Sequence, residues 1–459
     1  MADLLKRVYQ GFDPAIPALD DEIYVNLDDV RGEADVVDRL DKRIRLSEGP
    51  TCQLLAGHRG SGKTTELRRL ERQMGEGDER HFVVFVESKA DLDLNDVDFP
   101  EILIAIIRKM ADELKERESI VLKPGYLRDR FEKLKGILGS EVEFDKFEVG
   151  GSLFKISAAI KSSPDARKQV REALEPDTSN LLHAANDLIG EALIELRKKN
   201  YTNIVIIMDD LDKIVLRPHE GAGCSTAEYL FVNRHAQLTG FHCHVIYTMP
   251  LAIVYSALGE RITSLYGVRT PVVPMTKIRT KPPWRKPHKP GVDRFREIIA
   301  QRLTHADTDE SAVFGKGVVG KLIALSGGQP RELMMLVREA LIGGDLPVQS
   351  GAVDRVARDG ARAYARLLTD EQWLLIKQVA RSGRVTRAKA SDETFRELLD
   401  SRAILQYVND EEWYGVNPLI ALPKTNRRRN DRSPAKSGFV RRVRGTTGEQ
   451  HRTFTPSFR

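Results

Sequence analysis

The stretch Gly57-His58-Arg59-Gly60-Ser61-Gly62-Lys63-Thr64 decides the fold. It matches G-x-x-x-x-G-K-[ST] at every fixed position. Immediately before it, Thr51 to Ala56 is short, apolar and bounded by Gly49-Pro50 and Gly57, the pattern of a buried parallel strand. Immediately after it, Lys63 to Met74 reads as a helix. Strand, glycine-rich turn and helix together separate this stretch from a chance glycine turn. The glycines permit positive φ, so successive backbone N–H groups converge on a β-phosphate, and the helix N-terminus adds its partial positive charge. Gly57, His58, Arg59, Gly60, Ser61 and Gly62 are the expected cradle. Lys63 is expected to neutralise β and γ oxygens, Thr64 to place its hydroxyl on Mg²⁺, and Thr65 to reach the α-phosphate. ATP and Mg²⁺ are thus the expected cofactors.

A second strand, His81 to Glu87, and a third, Asn203-Ile204-Val205-Ile206-Ile207-Met208, extend the pattern to an α/β sheet. The third ends in Asp209-Asp210, which delivers carboxylates at the edge where nucleotide-bound Mg²⁺ lies, and Asp209 is the expected metal ligand. Asp212 is read as a cap of the following turn. His244 to Thr248 and Thr270 to Val273 supply two more strands.

The 459 residues carry a formal charge of +5, distributed unevenly. From Lys424 to Arg459 there are eleven Lys or Arg against Asp431 and Glu449, so the rest of the chain sums to about −4. Rich in Arg, Ser, Thr and Pro, this tail is predicted to be disordered. It is read either as an electrostatic contact for nucleic acid or as a solubilising extension. Cys52, Cys224 and Cys243 are far apart and odd in number, which suits a reducing cytoplasm rather than a disulfide scaffold. His242-Cys243-His244 lacks a second ligand pair and reads as the start of a buried strand, not a zinc site. MADLLKRVYQ has no signal-peptide apolar region, and no stretch approaches the roughly eighteen apolar residues of a membrane span.

The expected organisation is a polar lead-in over 1–30, a P-loop core over 31–276, and a basic loop with a small helical lid over 277–350. A winged-helix-like domain over 351–423 and the basic tail over 424–459 follow. Within the core, Phe99 to Arg117 is an apolar helix, and about 119–175 is an insertion. That insertion is expected to hold a charged helix, Tyr126 to Leu138, and a hairpin from Val142 to Ile156 turning at Gly150-Gly151. Thr369 with Gln372 makes a capping box for a helix through Trp373, Ile376 and Val379. A helix from Asp392 to Ser401 and two short strands complete the pattern.

With these motifs, and with Ser326-Gly327-Gly328-Gln329-Pro330-Arg331-Glu332-Leu333, the chain resembles the AAA+ and STAND branch of P-loop ATPases over roughly Val30 to Pro423. The origin-recognition-like group is the nearest in kind. The resemblance implies a parallel sheet sandwiched by helices, followed by a helical lid and a winged helix. It implies that Arg331 contacts the γ-phosphate and Pro330 the base or ribose side, and that Asp210 orients or deprotonates the attacking water. Thr248 would be a polar sensor of the γ-phosphate, or simply a strand terminus. Arg261 or Arg269 would be a finger reaching a neighbouring subunit. Arg31 lies where the family seats the base, although Arg31-Gly32 reverses the family's Gly-Arg order. Asp210, where many hydrolysing relatives have Glu, points to slow turnover. Asp392, Glu393, Glu397 and Asp400 outnumber Arg396 on the would-be recognition helix, which argues against phosphate contacts there.

Three functions follow from these readings. The first is a nucleotide-dependent switch coupled to a protein partner or to self-assembly, in prokaryotic regulation or defence. The second is a DNA-associated ATPase using the basic loop (Lys277, Arg279, Lys281, Arg285, Lys286, Lys289) and the tail. The third is a P-loop scaffold that binds nucleotide without hydrolysing it.

Overall fold

A computed structural model describes residues 2–18, 22–32, 35–122, 149–219, 222–386, 392–409 and 411–420. The expected helix Tyr126 to Leu138 and the basic tail lie outside the described residues. Strands β1 (Cys52–Gly57), β2 (Phe82–Glu87), β3 (Ile204–Asp209), β4 (His244–Met249) and β5 (Val272–Val273) form one parallel sheet in the order β2-β3-β4-β1-β5.

Side-chain alternation builds the two faces of this sheet. Phe82, Val84, Val86, Ile204, Ile206, Met208, Val245 and Tyr247 pack against the long helices Phe99–Glu118 and Thr178–Arg197. The intervening Val83, Phe85, Val205, Ile207, Ile246 and Leu55 pack against helices Val36–Arg45 and Lys63–Gly75. Each fully buried aliphatic side chain contributes about 1.5–3 kcal/mol, so a shift by one residue in any strand would exchange the two cores at prohibitive cost. β1 and β3 therefore present Gly57 and Asp209 at the same edge.

A separate core holds the lid helices Lys289–His305, Val318–Ser326 and Pro330–Ile342, together with part of Ser350–Leu367. The structure differs here from the expected polar lead-in. Ala2–Gly11 is a helix whose Val8, with Phe12 just beyond, is fully buried in that lid core. Its apolar residues recur at helical spacing, so it folds on the lid.

Residues 142–148 of the expected hairpin lie outside the described residues, and at its expected turn, Gly150-Gly151, there is instead a helix, Val149–Ser162, followed by Pro164–Leu174. Ile156 and Ile160 are buried in the core of Phe99–Glu118, and that packing outweighs the turn preference of the glycine pair. Toward the C-terminus, helices Asp370–Ser382 and Asp392–Asp400 are followed by antiparallel β6 (Ile404–Asn409) and β7 (Glu411–Val416). The Thr369 and Gln372 side chains both bond as a capping box. Among the described residues, no helix is long and apolar enough to cross a membrane.

Candidate nucleotide site

The P-loop leaves β1 and enters helix Lys63–Gly75 through two tight glycines. Gly60 has φ +85°, and a Cβ there would sit 2.8 Å from Cβ of Arg331. Gly62 has φ +104°, and a Cβ would come 3.0 Å from an Arg31 nitrogen. Only glycine lets the loop adopt this conformation with two arginines so near.

Lys63 is buried. Its ammonium donates to the carbonyls of Gly57 (2.9 Å) and His58 (3.0 Å) and pairs with Asp212 at 3.0 Å. All three of its donors are thus engaged, and an entering polyphosphate must displace at least one. Asp212 therefore does more than cap a turn. Its carboxylate holds the P-loop lysine, and its other oxygen, Oδ1, is buried without a hydrogen-bond partner.

Thr64 donates to Asp209 at 2.5 Å, joining the P-loop helix to β3. Asp209, Asp210 and Asp212 are all buried, with carboxylate oxygens within 4.8 Å of one another. Burial, and then the charges of Asp212 and Asp210, push the Asp209 carboxyl above its ordinary pKa. A divalent cation would relieve that crowding, and the Thr64 hydroxyl with an all-oxygen carboxylate set suits Mg²⁺. The donor set therefore fits the nucleotide and the metal expected of the motif. Asp210 adopts φ +71° and pairs with Lys213 and, at 3.7 Å, with Lys89. A non-glycine residue in this conformation costs about 1 kcal/mol or more, and here it points a second carboxylate beside the first.

One cavity collects Gly60, Gly62, Lys63, Thr64, Thr65, Asp209, Asp210, Arg31, Arg59, Pro330 and Arg331. The backbone N–H of Arg331 approaches the Gly60 carbonyl at 3.4 Å, so the lid reaches the loop directly. Arg31 is buried and braces the loop, donating to the Ser61 carbonyl and to Glu66, each at 2.7 Å. Thr248 is fully buried and donates to the Met208 carbonyl on β3 at 3.4 Å; it does not line the cavity. Arg261 and Arg269 are exposed, and Arg269 borders a different groove, with Thr270 and Glu260.

Several site residues carry no motif. Pro14, Ile16, Pro17, Ile23 and Tyr24 from the N-terminal segment, and Ile298, Arg302 and Met334 from the lid, form the rest of the cavity wall. The helical spacing of Leu4, Leu5, Val8 and Phe12 is the signal that ties the N-terminus to the lid. His58 does not line the cavity, and Arg59, which does, is also tied to the C-terminal elements. Nε2 of His58 accepts the Gln406 backbone N–H at 2.9 Å, and Arg59 pairs with Asp400 at 3.4 Å. Burial, with Lys63 and Arg402 nearby, pushes His58 down to about 3.

The phosphate loop between β1 and its helix, with Asp209 at the end of β3 on the same sheet edge, is the P-loop nucleotide-binding arrangement. The fold is that of a P-loop ATPase. No family model matches the chain, and no curated protein matches it. Solved structures are similar, among them the following three. The Walker-type ATPase of Pyrococcus abyssi has 13% identity and TM-score 0.43, over 89% of this chain and 98% of that one. The Aeropyrum pernix ORC2 protein in ADPNP-ADP complexes has 12% identity and TM-score 0.40, over 88% and 94%. Drosophila ORC bound to DNA has 10% identity and TM-score 0.38, over 90% and 89%. At such identities, the chemistry of this chain is carried by its own residues.

Proposed function

We propose that the chain binds ATP with Mg²⁺ and hydrolyses it slowly as an AAA+/STAND-type switch coupled to a protein partner or to self-assembly. The observation that carries this reading is the Thr64–Asp209 bond at 2.5 Å, beside Lys63, Asp210 and Asp212 and beneath Arg331 of the lid. Lys63 exchanges Asp212 for phosphate oxygens. Thr64 and Asp209 hold the metal, and Asp210 turns from Lys213 toward the attacking water. Arg331 adds positive charge from the lid, so bound triphosphate favours a closed lid. Bound Mg²⁺ supplies charge neutralisation of the phosphate oxygens. Three free thiols fit a reducing, cytoplasmic setting.

The test is calorimetric ATP binding together with phosphate release. Lys63→Ala should weaken binding roughly 100-fold or more. Asp210→Asn should retain binding and lose about 10²- to 10⁴-fold in turnover. Binding without phosphate release in the wild-type protein would leave only the scaffold reading. Size-exclusion chromatography with and without ATP and Mg²⁺ tests exposed Arg269 as a finger: a monomer under every condition removes that role.

A DNA-associated role is favoured by one further observation. Trp284 is 65% exposed in the basic loop, closed by a Thr280–Lys286 backbone bond at 2.8 Å. Arg285 donates to the Ala380 carbonyl, and Lys286 beside it is exposed. An aromatic platform among cations suits a nucleic-acid strand. Binding that falls steeply with salt and with Trp284→Ala supports this role; salt-independent binding removes it.

A further inference from the structure

The cavity has two ends with different charge balance. Around the P-loop, Lys63 pairs with Asp212, Lys213 with Asp210, Arg31 with Glu66 and Arg59 with Asp400. Arg302, on lid helix Lys289–His305, has no carboxylate partner among the described residues. It is 8% exposed, its Nε is buried without a hydrogen-bond partner, and its one hydrogen bond is from Nη1 to the Gly11 carbonyl at 2.7 Å. Burial alone lowers its pKa, with no opposing charge.

Its surroundings identify the end it occupies. Ile298 is one helical turn before it, and Met334 lies one turn beyond Pro330-Arg331 on the neighbouring lid helix, away from the P-loop. Pro14, Ile16 and Pro17 continue the wall from Gly11. This is an apolar slot of the kind that accepts a flat aromatic ring, with one guanidinium along it. A buried cation with unused donors is costly until a ligand supplies acceptors.

We propose that Arg302 binds the nucleobase, donating to ring acceptor atoms while Ile16, Ile298 and Met334 hold the faces of the ring. Arg302 would then set the base selectivity of the site, and Arg331 would serve the phosphates at the other end. The inference rests on the nucleotide reading above.

The experiment titrates the full-length chain calorimetrically with ATP and with ribose 5-triphosphate, which has the same sugar and phosphates and no base. Arg302→Met should weaken ATP at least tenfold and leave ribose 5-triphosphate within twofold. Arg302→Lys, which keeps a donor for the Gly11 carbonyl, should show the same split if Arg302→Met fails to fold. Equal losses for the two ligands would place Arg302 on the sugar or phosphates, or only against the N-terminal helix, and overturn the proposal. No loss with either ligand would overturn it too. Lys63→Ala separates the two readings, because it should weaken both ligands. If it weakens neither, the nucleotide site itself is misassigned.

Discussion

The phosphate end and the lid end of the cavity are built on opposite principles. At the phosphate end, the cations of the P-loop and its bracing residues already have internal anions, Lys63 with Asp212, Arg31 with Glu66 and Arg59 with Asp400. At the lid end, Arg302 lines the cavity with no carboxylate partner among the described residues, between apolar walls from the N-terminal segment. The first region has its cations paired internally and must rearrange to accept a ligand. The second is poised and gains by accepting one. Ligand affinity should therefore be resisted by the sheet and drawn from the lid, a division that keeps the unliganded sheet rigid while leaving the lid to respond.

The largest expected effect lies at the phosphate end. Asp209→Ala should remove on the order of 100-fold of the gain in ATP affinity that Mg²⁺ confers, while leaving Mg²⁺-free binding nearly unchanged. Titrations with Mg²⁺ and with a chelator measure both; an undiminished Mg²⁺ effect would show that Asp209 is not a ligand.

Acid should strike the same end. The His58 ring is held neutral, at about 3 against an ordinary 6.5. Between those values the unfolded chain binds the proton that the folded chain refuses, so stability falls as pH drops below 6.5, by up to about 1.4 kcal/mol per pH unit. His58→Gln should flatten that slope in denaturation at pH 7, 6 and 5. His81 and His244 are shifted in the same direction in both proteins and cancel in the comparison. Parallel slopes would sink the assignment.

The smallest effect belongs to the lid end. Ile16 is 59% exposed and lines the slot, so Ile16→Ala should cost about 1 kcal/mol or roughly fivefold in ATP affinity, with no change in ribose 5-triphosphate binding. A loss shared by the base-free ligand would mean that the two ends are not separable.

These ends also differ in how far the sequence discloses them. The P-loop and Asp209-Asp210 are legible because their chemistry demands fixed residue types next to strands with clear apolar runs. The capping box at Thr369 and Gln372 is likewise local. What stayed hidden is long-range. Asp212 follows the strand end closely, yet its pairing with Lys63 depends on how β4 sets β3 and β1 side by side. Arg302 looks like any surface cation on a lid helix until the helix Ala2–Gly11 covers it. At 149–162 a local signal misled, since a glycine pair resembles a turn until Ile156 and Ile160 find a hydrophobic neighbour.

His58 bonds to Gln406, a residue 348 positions away in the chain, and Gln406 also accepts from the Met275 backbone just beyond the sheet. The backbone of Gln406, in the middle of β6, is thus tied to the P-loop on one side and to Met275 on the other, with Tyr407 stacked on Trp413 at 4.3 Å next door. The molecule consequently contains its own optical gauge. A ligand that shifts the phosphate loop tugs on an indole, so the emission of Trp413 should register occupancy without any label.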